Sequence, residues 1–246
     1  MAKPKERLDE RLVRDGLAPT RSQAQALILA GRVLVDDAPA TTAGRAVPPE
    51  AQVRVRGGER RYVSRGGEKL AGALADLGLD PAGKVCLDLG ASTGGFTDGL
   101  LQHGAARVVA VDVGYGQLDA KLRADPRVRV VERCNARYLA AADVPERVEL
   151  VTIDVSFISA TLLLPRLPEV APGADWLVLV KPQFEVGRER VGKGGVVRDD
   201  ADRAAAVERV QRAAEALGYA LRGRADSRLP GPKGNREIFL WLGPRG

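Results

Sequence analysis

Histidine is almost absent from this chain: His103 is the only one among 246 residues. With only Cys86 and Cys134 to join it, and those scattered, a zinc site of histidines and cysteines is excluded. Histidine phosphoryl relays and histidine-pair acid–base chemistry go with it, so catalysis must rest on Lys, Asp, Glu or Ser. Two cysteines cannot build a disulfide framework, which points to a reducing, cytoplasmic setting. No apolar run reaches the ~18 residues of a membrane span. The opening MAKPKERLDERL is charged and lacks the apolar core of a signal peptide.

What is present is an ordinary globular composition, 45% apolar and 28% charged. The length suits one large domain, or one ordinary domain with a small one. Net charge is +6, unevenly placed. Residues 1–70 hold 14 Lys/Arg against 9 Asp/Glu, and the rest of the chain holds 24 against 23. A basic excess gathered at one end is what an attached nucleic-acid-binding module produces.

The first 60 residues read as helix, helix and small sheet. Leu8 and Leu12 share a face from Arg7 to Gly16, and Thr20 caps a second helix, Arg21 to Ala30, with Gly31 beyond it. Val33 to Val35 and Val53 to Val55 read as strands, with Asp36-Asp37 as a turn. This stretch resembles the S-four-type RNA-binding domain. The resemblance rests on Arg7-Leu8-Asp9, Gly16-Leu17-Ala18, Thr20-Arg21-Ser22-Gln23-Ala24 and Ile28 through Val35. It implies RNA contacts from Arg7, Arg21, Gln23 and Arg32, to which we add Arg65. Such arginines position a protein on phosphates rather than read sequence.

Residues 61–67 are basic, hold two glycines and read as a linker between a module at 1–60 and a domain at 68–246. From Lys84 onward strands and helices alternate: Val85 to Leu89, Arg107 to Asp112, Val128 to Val131, Glu149 to Asp154 and Trp176 to Val180 are strands. That alternation predicts a parallel α/β sheet. A helix from Asp200 to Leu217 then precedes two strands that pair at one edge, Ala220 to Ala225 and Glu237 to Leu242.

The loop Asp88-Leu89-Gly90-Ala91-Ser92-Thr93-Gly94-Gly95-Phe96 follows the first strand of this sheet, where open α/β sheets bind ligands. Three readings compete. The glycines do not fit the G-x-G-x-x-G of dinucleotide enzymes. Gly90 to Gly94 matches the hydrolase elbow G-x-S-x-G literally, but that fold needs a late histidine and none exists. The third reading is an S-adenosylmethionine loop. There Asp88 takes the ammonium group, directly or through water, and Asp112, at the next strand end, takes the ribose hydroxyls. Gly90, Ser92, Gly94, Gly95 and Phe96 complete the loop around the cofactor. Asn135 either meets the adenine edge or closes its own turn.

Residues 61–246 resemble the FtsJ/RrmJ-type 2′-O-methyltransferases, through that loop, Asp154-Val155-Ser156-Phe157, Leu179 through Glu185, and Asn235-Arg236-Glu237. With Tyr62 through Leu70 and the N-terminal module, the whole chain resembles the TlyA family, ribosomal RNA cytidine-2′-O-methyltransferases often labelled hemolysin A-like. The resemblance implies a Rossmann-like class I S-adenosylmethionine methyltransferase sheet with a small α+β RNA-binding domain. It implies a catalytic tetrad of Lys69, Asp154, Lys181 and Glu237, no metal, and ribosomal RNA or a ribosomal subunit as partner. The four groups would share protons as a coupled set. Gln183 to Arg198, with four glycines and four Lys/Arg, reads as a mobile substrate-side loop. The rival readings are a ribosome-assembly factor without catalysis, a different RNA-modifying enzyme, and a membrane-active hemolysin, for which no amphipathic membrane-facing helix is found.

Overall fold

The computed structural model describes residues 5–56, 61–231 and 233–245. The chain forms two compact units, 1–60 and 61–246.

In the first unit β1 (Glu6–Arg7) leads into α1 (Leu8–Arg14) and α2 (Arg21–Leu29). The strands β2 (Val33–Val35), β3 (Ala38–Ala40), β4 (Ala46–Val47) and β5 (Val53–Val55) follow. Thr20 caps α2 as expected, its hydroxyl accepting from Gln23 N at 3.3 Å. Asp36 and Asp37 both have positive φ, 49° and 64°, and turn the β2–β3 hairpin. The sequence reading missed β3 because Pro39 argues against a strand; β3 lies at the sheet edge, where proline is tolerated. Leu8, Leu12, Ala24, Ile28, Val33, Val35 and Val47 form the core of this unit.

The second unit begins with α3 (Arg65–Leu77) and then alternates strand and helix. In order these are β6 (Val85–Leu89), α4 (Gly95–Gln102), β7 (Arg107–Val111), α5 (Ala120–Arg123), β8 (Val128–Val131), β9 (Leu150–Ile153) and α6 (Leu167–Val170). They continue with β10 (Asp175–Val180), α7 (Pro182–Glu185), α8 (Asp200–Glu215), β11 (Tyr219–Asp226) and β12 (Ile238–Pro244). The strand order is β11-β12-β10-β9-β6-β7-β8. β8, β7, β6, β9 and β10 run parallel, and β12 and β11 add an antiparallel hairpin. This is the expected doubly wound α/β sheet. The chain leaves β6 toward β7 and β8, then returns to β9 on the other side of β6. Its topological switch point therefore lies between β6 and β9, where the carboxyl ends of the strands open a crevice. Apolar residues cover both faces of the sheet.

Residues 61–67, read as a linker, behave differently. Ser64 caps α3, so the helix starts at Arg65, inside the stretch read as a linker. Val63 N donates to Asp98 Oδ2 at 2.8 Å, Gln102 Nε2 donates to the Arg61 carbonyl at 2.7 Å, and Tyr62 is buried. A Cβ at Gly67 would lie 2.2 Å from the Tyr62 ring, so the glycine makes room for it. Positions 57–60 of the expected boundary lie outside the described residues.

Candidate active site

The carboxyl ends of β9 and β10, the first residues before β12, and α3 converge on four charged side chains. The register pairs Val180 with Ile238, so Lys181 and Glu237 leave adjacent antiparallel strands side by side. Asp154 follows β9, parallel to β10. Lys69 Nζ lies 2.5 Å from Glu237 Oε2, and both side chains are buried. Lys181 Nζ lies 2.6 Å from Asp154 Oδ1 and donates to Ser156 Oγ at 2.8 Å. Asp154 Oδ1 is buried and accepts no well-aligned hydrogen bond, so charge attraction holds it to the ammonium. Glu237 Oε1 is also buried and without a hydrogen-bond partner among the described residues. Gly231 leaves space for it, since a Cβ there would stand 2.5 Å from that oxygen. Each lysine thus meets one carboxylate.

The loop after β6 is tied into the protein at several places. Asp88 is fully buried; its two oxygens accept from Thr97 Oγ1 at 2.7 Å and Thr152 Oγ1 at 3.0 Å. Burial pushes its carboxyl up to about 6, against the lowering effect of the two threonines. Asp88 therefore braces the loop from inside, and a direct ammonium contact is closed to it. Gly94 and Gly95 serve packing. A Cβ on Gly94 would lie 2.2 Å from Leu122 Cδ1, and one on Gly95 2.2 Å from Ser64 Oγ. Phe96 is a core residue stacked on Phe239, ring centroids 6.0 Å apart. Gly90 has φ +89°, and a Cβ there would strike the Asp154 carbonyl at 2.6 Å. Ser92, at φ +49°, donates its N–H to Asp112 Oδ2 at 2.8 Å. Gly114 N donates to Asp112 Oδ1 at 2.7 Å. Asp112 remains half-buried, with acceptor capacity beyond these two bonds, and the exposed Val113 follows it. Asn135 closes its own turn through Arg137 N at 3.1 Å and stays exposed.

In the first unit two of the expected RNA-contacting arginines are tied to Asp9. This fully buried carboxylate accepts from Arg7 Nε and NH2, Arg21 Nε and Gln25 Nε2, at 2.9–3.0 Å. Arg7, foremost among these, holds the Asp9 carboxyl well below the usual carboxylate range. Arg7 and Arg21 nevertheless keep about half of their side chains exposed, 45% and 52%. Arg32 donates to the Arg56 carbonyl, and Gln23 is exposed. Arg65 sits in the second unit, exposed at the start of α3, donating to the Pro230 carbonyl at 3.1 Å.

Further motif residues in the second unit take structural places. Asn235 is buried, accepting from Val197 N at 2.9 Å and donating to the Gly195 carbonyl at 2.8 Å. It thereby pins the glycine-rich segment expected to be mobile, which also forms a bridge between Gly192 and Val196. Phe157 is 89% exposed at φ +69°, three residues past Asp154, with Phe184 at 5.5 Å. Glu185 is buried. Among the described residues no group of three or more His, Cys, Asp or Glu is placed to hold a metal ion. No helix among them is long and apolar enough to cross a membrane.

The model of the FtsJ-like methyltransferases matches residues 62–244, the whole of this sheet and its tetrad. The chain belongs to the FtsJ-like methyltransferase family. The S4 domain matches residues 6–53. The chain is 53% identical to the 16S/23S rRNA (cytidine-2′-O)-methyltransferase TlyA of Mycobacterium tuberculosis, over 96% of this chain and 89% of that one. It is 40% identical to Hemolysin A of Brachyspira hyodysenteriae, over 95% and 98% of the two chains. A solved structure from Streptococcus thermophilus that also carries the hemolysin name is 41% identical. It superposes with a TM-score of 0.76 over 99% of this chain and 90% of its own. This member of the family is therefore a methyltransferase.

Proposed function

We propose that the chain transfers the methyl group of S-adenosylmethionine to the ribose 2′-hydroxyl of a cytidine in ribosomal RNA. The observation that carries this reading is the pairwise closure of Lys69 on Glu237 and Lys181 on Asp154 at one end of the sheet. The naming of a relative 53% identical supports the cytidine and the ribosomal RNA.

The cofactor fits the crevice beside the tetrad. Asp112 offers unused acceptor capacity at the end of β7, as two ribose hydroxyls require, and Val113 offers an exposed apolar side chain for an adenine face. Asn135 keeps its amide N–H groups for the adenine edge. The loop from Gly90 to Gly94 passes beside this space without a phosphate to bind, which suits a sulfonium cofactor better than a dinucleotide. When bound, S-adenosylmethionine supplies an electrophilic methyl group on sulfur.

The remaining chemistry belongs to the chain. Lys181 Nζ, once it has given up a proton to solvent, would take the 2′-hydroxyl proton while the O–CH3 bond forms and the S–CH3 bond breaks, the thioether leaving. Asp154 then balances the ammonium that forms, while Ser156 fixes the direction of Nζ. Glu237 is buried and holds Lys69 through Oε2, so it fixes that lysine beside the crevice. Phe157, aromatic and exposed in a left-handed conformation, gives a target base turned out of its stack a face to rest on. The first unit supplies affinity through the exposed edges of Arg7 and Arg21, with Gln23 and Arg32, and Arg65 adds a cation in the second unit.

The test is methyl transfer from labelled S-adenosylmethionine to purified ribosomal subunits and to naked ribosomal RNA, followed by nucleoside analysis. Label is expected in 2′-O-methylcytidine. Lys181→Ala should lower turnover by at least ~100-fold, the scale of a lost general base, with cofactor affinity nearly unchanged. Label in a base-methylated nucleoside, or substantial turnover by Lys181→Ala, would count against the assignment.

A further inference from the structure

Two arms of chain leave the sheet at the proposed site. One runs from β9 through Asp154, Ser156, Phe157 and Ser159; the other runs from β10 through Lys181 into α7, which ends at Glu185. They are tied at their roots by the parallel register of Ile153 with Val178. They are tied midway by Lys181 with Asp154 and Ser156, and by the Phe157–Phe184 contact. The outermost tie is Glu185. Its Oε2 accepts from Ser159 Oγ at 2.5 Å and its Oε1 from Ala160 N at 2.7 Å. The carboxylate therefore sits at the start of the short turn Ala160–Leu162 that ends the first arm. Arg209 on α8 anchors the Glu185 carbonyl at 2.9 Å, so the tie is itself held to a long helix.

Glu185 touches neither lysine of the tetrad, and the reaction gives it no proton to move. A carboxylic acid is nonetheless an expensive choice for a buried site: desolvation raises the Glu185 carboxyl above its ordinary range, opposed by Ser159 and Ala160. A merely space-filling role would be served by an apolar residue.

We propose that Glu185 is a positioning residue, a clasp that fixes the Asp154–Ser156–Phe157 arm against Lys181 so that the accepting nitrogen and the stacking face stand in register. The inference rests on the methyl-transfer reading above. It follows from leverage. Asp154 to Ser156 has no regular secondary structure; besides the clasp it is held by the Asp154 N–H on the Leu89 carbonyl, by Val155 and Ile158 against the core, and by Lys181 and Phe184, and the clasp alone secures its far end at Ser159 to the Lys181 arm. A displacement of about 1 Å at a reacting group is enough for a loss of roughly 100-fold in rate.

The experiment compares wild type, Glu185→Ala, Glu185→Gln, Ser159→Ala and Val108→Ala in single-turnover methyl transfer. Cofactor affinity and thermal midpoint are measured on each. Val108 is a buried core residue at the opposite end of its strand and controls for lost stability. Glu185→Ala is expected to lose roughly 10- to 100-fold in turnover, well below its midpoint, with cofactor affinity within about threefold. Glu185→Gln can keep both contacts, because the Ser159 hydroxyl can accept from an amide, and should recover most of the rate. Ser159→Ala should fall between, and Val108→Ala should turn over like wild type. If Glu185→Ala does not fold, Ser159→Ala and Glu185→Gln decide the matter: equal turnover in Ser159→Ala and wild type overturns the clasp. A glutamine no better than alanine overturns it too. If wild type labels no RNA at all, the methyl-transfer reading fails and the clasp falls with it. An active wild type with an unaffected Glu185→Ala removes the clasp alone.

Discussion

Asp88→Asn should stabilise the methyltransferase unit at neutral pH and leave it little changed near pH 4. Asp88 is fully buried, and its carboxyl is pushed from 3.8 to about 6. For an acid raised in this way, the folded state holds its proton over a pH range in which the unfolded chain has released it. Its favourable contribution is complete below pH 3.8, is lost as pH rises toward about 6, and is absent above. At about 1.4 kcal/mol per pH unit, a rise from 3.8 to about 6 corresponds to roughly 3 kcal/mol, an order of magnitude for so buried a group. Asparagine has the same shape and no charge, and Thr97 and Thr152 can accept from its amide as readily as they donate to the acid. The stability difference between variant and wild type should therefore grow by roughly 2–3 kcal/mol between pH 4 and pH 7 and then level off. Urea unfolding followed by tryptophan fluorescence reads the right unit, because the only two tryptophans, Trp176 and Trp241, lie on β10 and β12. Other titrating groups cancel in the difference. A gap that does not change with pH, or a variant weaker at every pH, would refute the reasoning. Cofactor affinity offers a second reading: because Asp88 faces inward, Asp88→Asn should bind S-adenosylmethionine within a few-fold of wild type, whereas a direct ammonium contact would cost tenfold or more.

Asp9→Asn should weaken the first unit by on the order of 2–4 kcal/mol, since Arg7, Arg21 and Gln25 all converge on that buried carboxylate. RNA affinity should fall in filter binding while cofactor affinity holds; equal loss of both would contradict the assignment. With its pKa lowered by Arg7, Asp9 contributes stability above the usual carboxylate range and loses it as pH falls below that range, so RNA binding should weaken in acid. Asn235→Ala removes two buried hydrogen bonds, to Gly195 and Val197, and should speed hydrogen exchange and proteolysis across residues 187–198. An unchanged exchange profile there would show that the segment is held by something else.

The parts of this molecule that were legible in its sequence are those governed by local periodicity and by strand ends. Short runs rich in valine and leucine located all five parallel strands, and the polar residues just after three of them, Asp112, Asp154 and Lys181, stand where the crevice opens. Lys69 and Glu237 needed the family resemblance, because nothing local announces that residues so distant in sequence will meet. In the glycine loop packing adds a demand that spacing does not show. Gly94 and Gly95 are needed because Leu122 and Ser64 approach them, and spacing alone cannot tell a close protein neighbour from a close ligand. Phe96, the last residue of that loop, stacks on Phe239, 143 positions later in the sequence. Asp9, Glu185 and Asn235 passed unassigned because charged and amide residues are mostly exposed. Their burial comes from partners that only the folded chain supplies.

The Lys69–Glu237 pair has a consequence for time. The two residues are 168 positions apart. At about 5–20 residues per second, a ribosome making this chain leaves Lys69 waiting roughly 8 to 34 s before its carboxylate has even been synthesised. Throughout that interval the amine has no counter-charge from Glu237 and cannot settle into its buried seat, so α3 must dock late or remain loosely packed. On the proposed reading the four charged groups come together only once β12 has been made, so a chain broken off before β12 would lack a complete site.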